Sequence, residues 1–316
     1  MERQLHTRLE LALRKGGDAL DGLAGGAASD ERDVLLTLAR IHDLHLAPID
    51  RVGPAVRWQH HPAVAALKVE LEAQVLSSLP APDVAAPDVS ADDDAVGEIR
   101  RIGRDGLVPT VYDWLAEEAT IDELVAYLAL EGGPDADFDD LVAICQVGLS
   151  GGPKMELARN YWDEMGRGDP ARVHTELHRD LCVAVDLPAV PRVEQPVSAL
   201  RRTALGNILA TNRALQPELV GALGLLELQA GPRCRRVVAA MRRLGLGRDA
   251  SEFYVEHAEA DPRHGKEWLA HVVAPLAADP AWGPRMVTGA RWRSIVNAAF
   301  FDDMAATFLR PRRATA

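Results

Sequence analysis

Three side chains late in the chain, His257, Asp261 and His264, stand at i, i+4 and i+7. On an α-helix this spacing lines all three along one face. Two imidazoles and a carboxylate on one face are what a divalent iron, manganese or zinc ion needs. The same residues also allow a plainer interpretation. Asp261 followed by Pro262 makes a good N-cap with proline in the first helical position, and proline disfavours the helical conformation of the residue before it. A new helix would then start at Asp261, and the histidines would be surface or capping groups.

A second cluster adds weight to the metal interpretation. Glu164 precedes a break made by Gly166, Gly168 and Pro170, and His174 follows one turn into the next helical stretch. On a straight helix these two side chains would point to different faces; a kink between them lets both converge. Glu227 sits in the apolar run Leu223-Gly224-Leu225-Leu226-Glu227-Leu228. If buried there, its carboxylate needs a metal or a cation; otherwise it is a partly exposed helix residue. Glu131 closes the helical segment begun at Ile121 and, taken alone, reads as a helix-terminal surface carboxylate.

Other candidates carry less chemistry. Gly166 to Ala171 and Gly245 to Ala250 both fit G-x-G-x-x-A. A dinucleotide loop follows a strand, whereas each of these follows an amphipathic helical segment, so helix-ending turns are expected. His42, His45, His60 and His61 lack a carboxylate context that compels a metal. His178 and Glu156 are assigned at most to the edge of a site, and His271 to packing further along the same helix. Ser251 and Ser294 have no His and Asp partners that would make a nucleophile, and the cysteines have no activating neighbour.

The elements that must position these groups are helical throughout. Val64, Leu67, Leu71 and Val75 form an apolar stripe on a helix beginning after Pro62. Thr120 with Glu123 gives a capping-box pattern ahead of Ile121, Leu124 and Leu128. Leu205, Ile208 and Leu209, then Val237, Val238, Met241 and Leu244, then Trp292, Ile295, Val296, Ala299, Phe300 and Met304, repeat the period. Clean period-two alternation is almost absent, so an all-α fold is expected. At Pro262 the ring crowds the carbonyl of Ala258 and no N–H is available to it. The helix is therefore expected to kink or unwind between His257 and His264. The Ser77 to Glu98 segment, rich in Pro, Ala, Ser and Asp, carries no apolar face. The expected organisation is a helical extension over 1–76, a linker or loop over 77–98, and a helical body over 99–316.

The chain has 316 residues, with 35 Lys plus Arg against 47 Asp plus Glu, a formal net charge of −12. Such a balance gives no general attraction for nucleic acid or anionic membranes. Three scattered cysteines with no C-x-x-C pair exclude a disulfide framework or cysteine zinc site and fit a reducing compartment. Met1 to Arg14 is charged throughout and is not expected to act as a secretory signal. No run approaches the roughly 20 apolar residues of a membrane span. A cytoplasmic, soluble protein is expected.

The run Lys154-Met155-Glu156-Leu157-Ala158-Arg159-Asn160-Tyr161-Trp162-Asp163-Glu164-Met165-Gly166-Arg167-Gly168, with His174 and the later His257-x3-Asp261-x2-His264, resembles the haem-oxygenase-like diiron oxidases and oxygenases, the iron-containing redox enzyme family. The similarity extends over about residues 110–280. It implies a haem-oxygenase-like helical bundle, shared with thiaminase II, that binds non-haem iron. On that resemblance Glu131 corresponds to the first-helix carboxylate, Glu164 and His174 to an E-x9-H pair, Glu227 to the mid-chain carboxylate, and His257, Asp261 and His264 to the final triplet. The resemblance implies two Fe(II) per chain, Glu131, His174 and His264 on one and Glu227, His257 and Asp261 on the other, with Glu164 near both. It further implies O2 as co-substrate and oxidation of a small amine- or amino-acid-derived metabolite, by N-oxygenation or oxidative C–C cleavage. The expected partner is that small molecule, with an external electron donor and a homodimer as options. The rival expectations are a metal-independent, thiaminase-like enzyme and a non-catalytic helical binding protein.

Overall fold

Apolar stripes at helical spacing become helices, and their ends carry the chemistry that helix ends require. Thr120 and Glu123 close a reciprocal capping box, Thr120 N–H to Glu123 Oε2 at 2.8 Å and Glu123 N–H to Thr120 Oγ1 at 3.3 Å. The helix over Pro62–Ser77 begins at its proline, as the pattern predicts. The computed structural model describes residues 4–23, 30–81, 94–135 and 138–309, and among these there is no strand. No helix among the described residues is long and apolar enough to cross a membrane. No disulfide joins the three cysteines.

The chain divides into two compact units, and the division is not sequential. The first comprises Met1–Ala81 together with Pro191–Arg213. Its helices Leu5–Lys15, Glu31–Leu46, Pro62–Ser77 and Val197–Thr211 bury Leu9, Leu35, Ile41, Leu71, Leu205 and Ile208. Polar contacts bind the later segment to the earlier one. Arg192 makes two bonds to Asp43, at 2.6 and 2.8 Å. Glu72, buried, accepts from His42 Nε2 at 2.8 Å and Asn212 Nδ2 at 3.0 Å, and pairs with Lys68 Nζ at 2.8 Å. His42, set aside as a metal ligand by its sequence context, is thus the partner of a structural carboxylate.

The second unit comprises Pro82–Val190 and Ala214–Ala316. Of the segment expected as a linker, residues 82–93 lie outside those described; the helix Ala95–Arg104 begins inside that segment, with the Asp94 carboxylate accepting from Gly97 N–H at 2.6 Å. The centre of this unit is the helix Gln216–Arg243, 28 residues and so about 42 Å long. It packs against the helices Arg248–Trp268 and Gly283–Phe308. Glycine sets how closely the first pair meets. A Cβ on Gly265 would stand 3.0 Å from the Leu228 Cα, so only a glycine lets the two backbones approach there. That approach brings Glu227 against the face bearing Asp261 and His264.

The helix does not unwind at Pro262. The helix runs through it without interruption from Arg248 to Trp268. The carbonyl of Ala258, which proline leaves without its helical N–H, accepts instead from Arg235 Nη1 at 3.2 Å. A guanidinium from the neighbouring helix thereby takes over the missing bond. His257, Asp261 and His264 keep their common face.

Candidate metal centre

Glu164 is the last residue of the helix Gly151–Glu164, and His174 is the first of the helix His174–Ala184. The intervening loop turns through three successive left-handed residues, Gly166 at φ 60°, Arg167 at φ 54° and Gly168 at φ 87°. Glycine is required at 166 twice over: for its φ, and because a Cβ would lie 2.6 Å from the Arg172 carbonyl carbon. The tight return brings His174 Nδ1 to 2.5 Å from Glu164 Oε2. The E-x9-H spacing therefore works through this loop, and the G-x-G-x-x-A pattern is the helix-ending turn predicted for it.

The helix Arg248–Trp268 supplies the opposite wall. The His257 ring lies 4.5 Å, centroid to centroid, from the His174 ring. Its Nδ1 is 2.6 Å from the Phe253 carbonyl oxygen, which requires the proton on Nδ1 and leaves the Nε2 lone pair available. One turn and three residues further on, His264 presents Nδ1 3.7 Å from Glu227 Oε2 and 3.9 Å from Asp261 Oδ1. Asn160 Nδ2 donates to Glu227 Oε1 at 2.6 Å and so fixes which oxygen turns inward. Donor atoms collect in two overlapping groups, Glu164 with His174 and His257, and Glu164 with Glu227 and His264, each within 4.8 Å. Glu164 belongs to both.

The electrostatics call for a cation. Glu164, Glu227 and Asp261 are 2%, 3% and 2% exposed. Burying several carboxylates together costs several kcal/mol per ion unless positive charge accompanies them. Burial, with the Glu164 charge behind it, pushes Glu227 up to about 8. Burial followed by the charges of Glu227 and Glu164 raises Asp261 well above the carboxylate range. Burial acts to raise Glu164 as well, but His174 outweighs it and holds this carboxyl below its ordinary value. Burial, reinforced by His174, lowers His257 to about 4 and keeps it a neutral donor. Glu227 Oε2, Asp261 Oδ2 and His264 Nδ1 are all buried without a hydrogen-bond partner. Oxygen and imidazole nitrogen donors left in this state fit a first-row divalent ion such as iron.

Six of the seven residues expected from the sequence thus lie on the helices that converge here: Glu164, His174, Glu227, His257, Asp261 and His264. Their partition differs from the expectation. His174 pairs with His257, and His264 with Glu227, because seven residues of unbroken helix separate the two histidines by about 10 Å along its axis. Glu131 belongs to neither group. Its Oε1 accepts from the hydroxyls of Tyr112 and, at 3.1 Å, Tyr127, while Tyr254 reaches Oε2 at 3.4 Å. Three phenol donors satisfy this buried carboxylate where the expectation placed a metal with His174 and His264.

Two residues escaped the sequence reading. Asn160 holds Glu227, and Asp163 accepts from His264 Nε2 at 2.8 Å, Arg263 Nη2 at 2.7 Å and Arg167 Nε at 2.7 Å. Burial acts to raise Asp163, but Arg167 and His264 outweigh it and hold it at about 2. The Asp163 to Arg167 spacing of i, i+4 was the signal available. The lesser candidates fall outside. His178 stands edge-on to Phe253, which separates it from His257. Glu156 pairs with Arg159 at 3.0 Å, and His271 is exposed in a π-turn over Leu269–Val273.

Residues 125–297, more than half of the chain, match the family model described as iron-containing redox enzyme. The match contains every residue of both donor groups. Comparison with curated proteins finds no match.

Proposed function

The chain belongs to the iron-containing redox enzyme family, and on that premise we propose that it is an O2-dependent non-haem diiron oxidase or oxygenase acting on a small amine- or amino-acid-derived metabolite. The observation that carries this reading is the pair of donor groups sharing Glu164, with three inward-facing ligand atoms left unpartnered by the protein. Glu164, His174, Glu227, His257, Asp261 and His264 would hold two ferrous ions, which when bound would supply reducing equivalents for activation of O2. The chain's own residues prepare the site. Glu164 holds the two groups together, the Phe253 carbonyl fixes the tautomer of His257, and Asn160 turns one Glu227 oxygen inward. Burial of Glu164, Glu227, Asp261, His174 and His264 keeps bulk water away from the reacting atoms. The substrate class rests on the family resemblance of the Glu164, His174 and His257-x3-Asp261-x2-His264 motifs.

The test begins with metal-free protein titrated anaerobically with ferrous iron, followed by oxygen uptake across a panel of amines, guanidines and amino acids. Near two irons per chain and uptake that depends on one substrate class are expected. Protein that keeps its helicity and takes up no iron would sink the proposal and favour a metal-independent, thiaminase-like enzyme or a binding protein.

A further inference from the structure

We propose that Asp163 is a positioning residue that selects the tautomer of His264, keeping the Nδ1 lone pair turned toward Glu227 and Asp261. The inference rests on the metal-centre reading above for its purpose, and on the hydrogen bonds around Asp163 for its mechanism.

His264 has two candidate partners for Nε2. Asp163 Oδ2, which can only accept, lies at 2.8 Å, and Arg263 Nη2, which can only donate, lies at 3.2 Å. A carboxylate oxygen this close to an imidazole nitrogen requires a proton between them, so Nε2 carries the hydrogen and Nδ1 the lone pair. Arg263 then directs its N–H to Asp163 Oδ2, at 2.7 Å, and Arg167 holds the other oxygen at 2.7 Å. Arg167 does so from a left-handed conformation, φ 54°, between two glycines. The carboxylate is therefore fixed by one guanidinium on each oxygen, and it fixes the imidazole in turn.

Removal of the acceptor reverses the arrangement. Without the Asp163 carboxylate, Arg263 becomes the neighbour of Nε2, and its N–H seeks a lone pair there. The imidazole proton then belongs on Nδ1, which faces Glu227 Oε2 at 3.7 Å. The nitrogen that should ligate becomes a donor to the carboxylate that should also ligate. Asp163 and Arg263 compete for one nitrogen, and in this sequence the carboxylate prevails.

The test uses the full chain with ¹⁵N-labelled histidine, the His264 signals being identified by their loss in His264→Gln. Metal-free wild-type protein is expected to show His264 protonated at Nε2, and Asp163→Leu, which removes both oxygens, to show it protonated at Nδ1. Ferrous binding at the Glu164, Glu227 and His264 group should weaken by about 10- to 100-fold in Asp163→Leu, with circular dichroism unchanged. Arg263→Met alone keeps the Nε2 proton. Asp163→Asn, whose amide oxygen still accepts, should keep the Nε2 proton and part of the affinity, a rescue that a merely structural role for Asp163 does not provide. Nδ1 protonation in the wild type, or an unchanged tautomer in Asp163→Leu, would overturn the proposal. Absence of iron binding by the wild type would overturn the metal-centre reading instead, and the tautomer measured without metal would still decide the part played by Asp163.

Discussion

His174 Nδ1 stands 2.5 Å from Glu164 Oε2, although a loop of nine residues lies between them in the chain. The loop reverses direction through Gly166, Arg167 and Gly168, and it leaves the last side chain of one helix facing the first side chain of the next. Glu164 thereby reaches His174 and His257 on one side and Glu227 and His264 on the other.

This shared position predicts a distinctive variant. Glu164→Ala removes a donor from both groups at once, so ferrous binding should fall at both sites together, each by at least about 10-fold, the lower end of what loss of even an outer partner costs. Helicity should be unchanged, since the apolar stripes of the surrounding helices remain. Anaerobic titration followed by metal analysis reads the loss, and Glu118→Ala, at an exposed carboxylate, serves as the control. Loss of one iron with the second bound normally would show that Glu164 does not bridge the groups.

Glu227 links the site to pH. Its carboxyl is pushed up to about 8 by burial and by the Glu164 charge, against an ordinary value of 4.5. A carboxyl whose folded-state pKa is raised contributes stability that is fully present below the unfolded value and is lost as pH rises through the folded one. In metal-free protein the Glu227 contribution should therefore decline between about pH 4.5 and 8. His257, lowered to about 4, acts in the opposite direction, so the expected readout is a difference. The melting temperature of the wild type minus that of Glu227→Gln should fall as pH rises across this window. Ferrous iron should remove the trend in the wild type, because the metal takes the place of the proton. A difference that stays flat with pH would show that Glu227 ionises normally.

The final triplet was legible because its meaning depends only on helical period, and the Arg248–Trp268 helix preserves that period through Pro262. A proline in an isolated helix leaves the carbonyl four residues before it without a donor; here Arg235, 23 residues away from Ala258, supplies one only through helix packing. Glu131 illustrates the same limit. Tyr127 lies four residues before it, but Tyr112 and Tyr254 are 19 and 123 residues distant. No local pattern shows that three hydroxyls will converge on one carboxylate. Likewise the apolar face of Val197–Thr211 announces a helix without saying which unit buries it; Arg192 and Asn212 decide that through Asp43 and Glu72.

In the first unit, Glu72 is the expected point of fragility. Its carboxylate is shared by Lys68, one turn earlier on the same helix, and by His42 and Asn212, brought to it from separate parts of the unit. Glu72→Ala leaves the buried His42 and Lys68 without their acceptor, and breaking a buried pair from one side costs about 3–5 kcal/mol. Denaturant unfolding should show a loss of this order, while Glu72→Gln, which retains one accepting oxygen, should lose less. A change below about 0.5 kcal/mol, the range of ordinary surface substitutions, would mean that the network does not hold the segment.

Arg235 should matter only while proline occupies position 262. Its guanidinium donates to the Ala258 carbonyl at 3.2 Å, the acceptor that a non-proline residue at 262 would bond through its own N–H. Arg235→Ala should therefore cost about 1 kcal/mol, the usual net value of one hydrogen bond. Pro262→Ala restores the internal bond, and in that background Arg235→Ala should cost close to nothing. The coupling between the two substitutions, measured by a double-mutant cycle, is expected at about 1 kcal/mol. The same cycle bears on the metal centre. If Arg235 keeps the helix in register through Pro262, then Arg235→Ala should also weaken ferrous binding, since His257 and His264 lie on opposite sides of the proline. Pro262→Ala should reverse that loss. Additive stabilities, with iron affinity indifferent to both changes, would show that the helix keeps its register without Arg235.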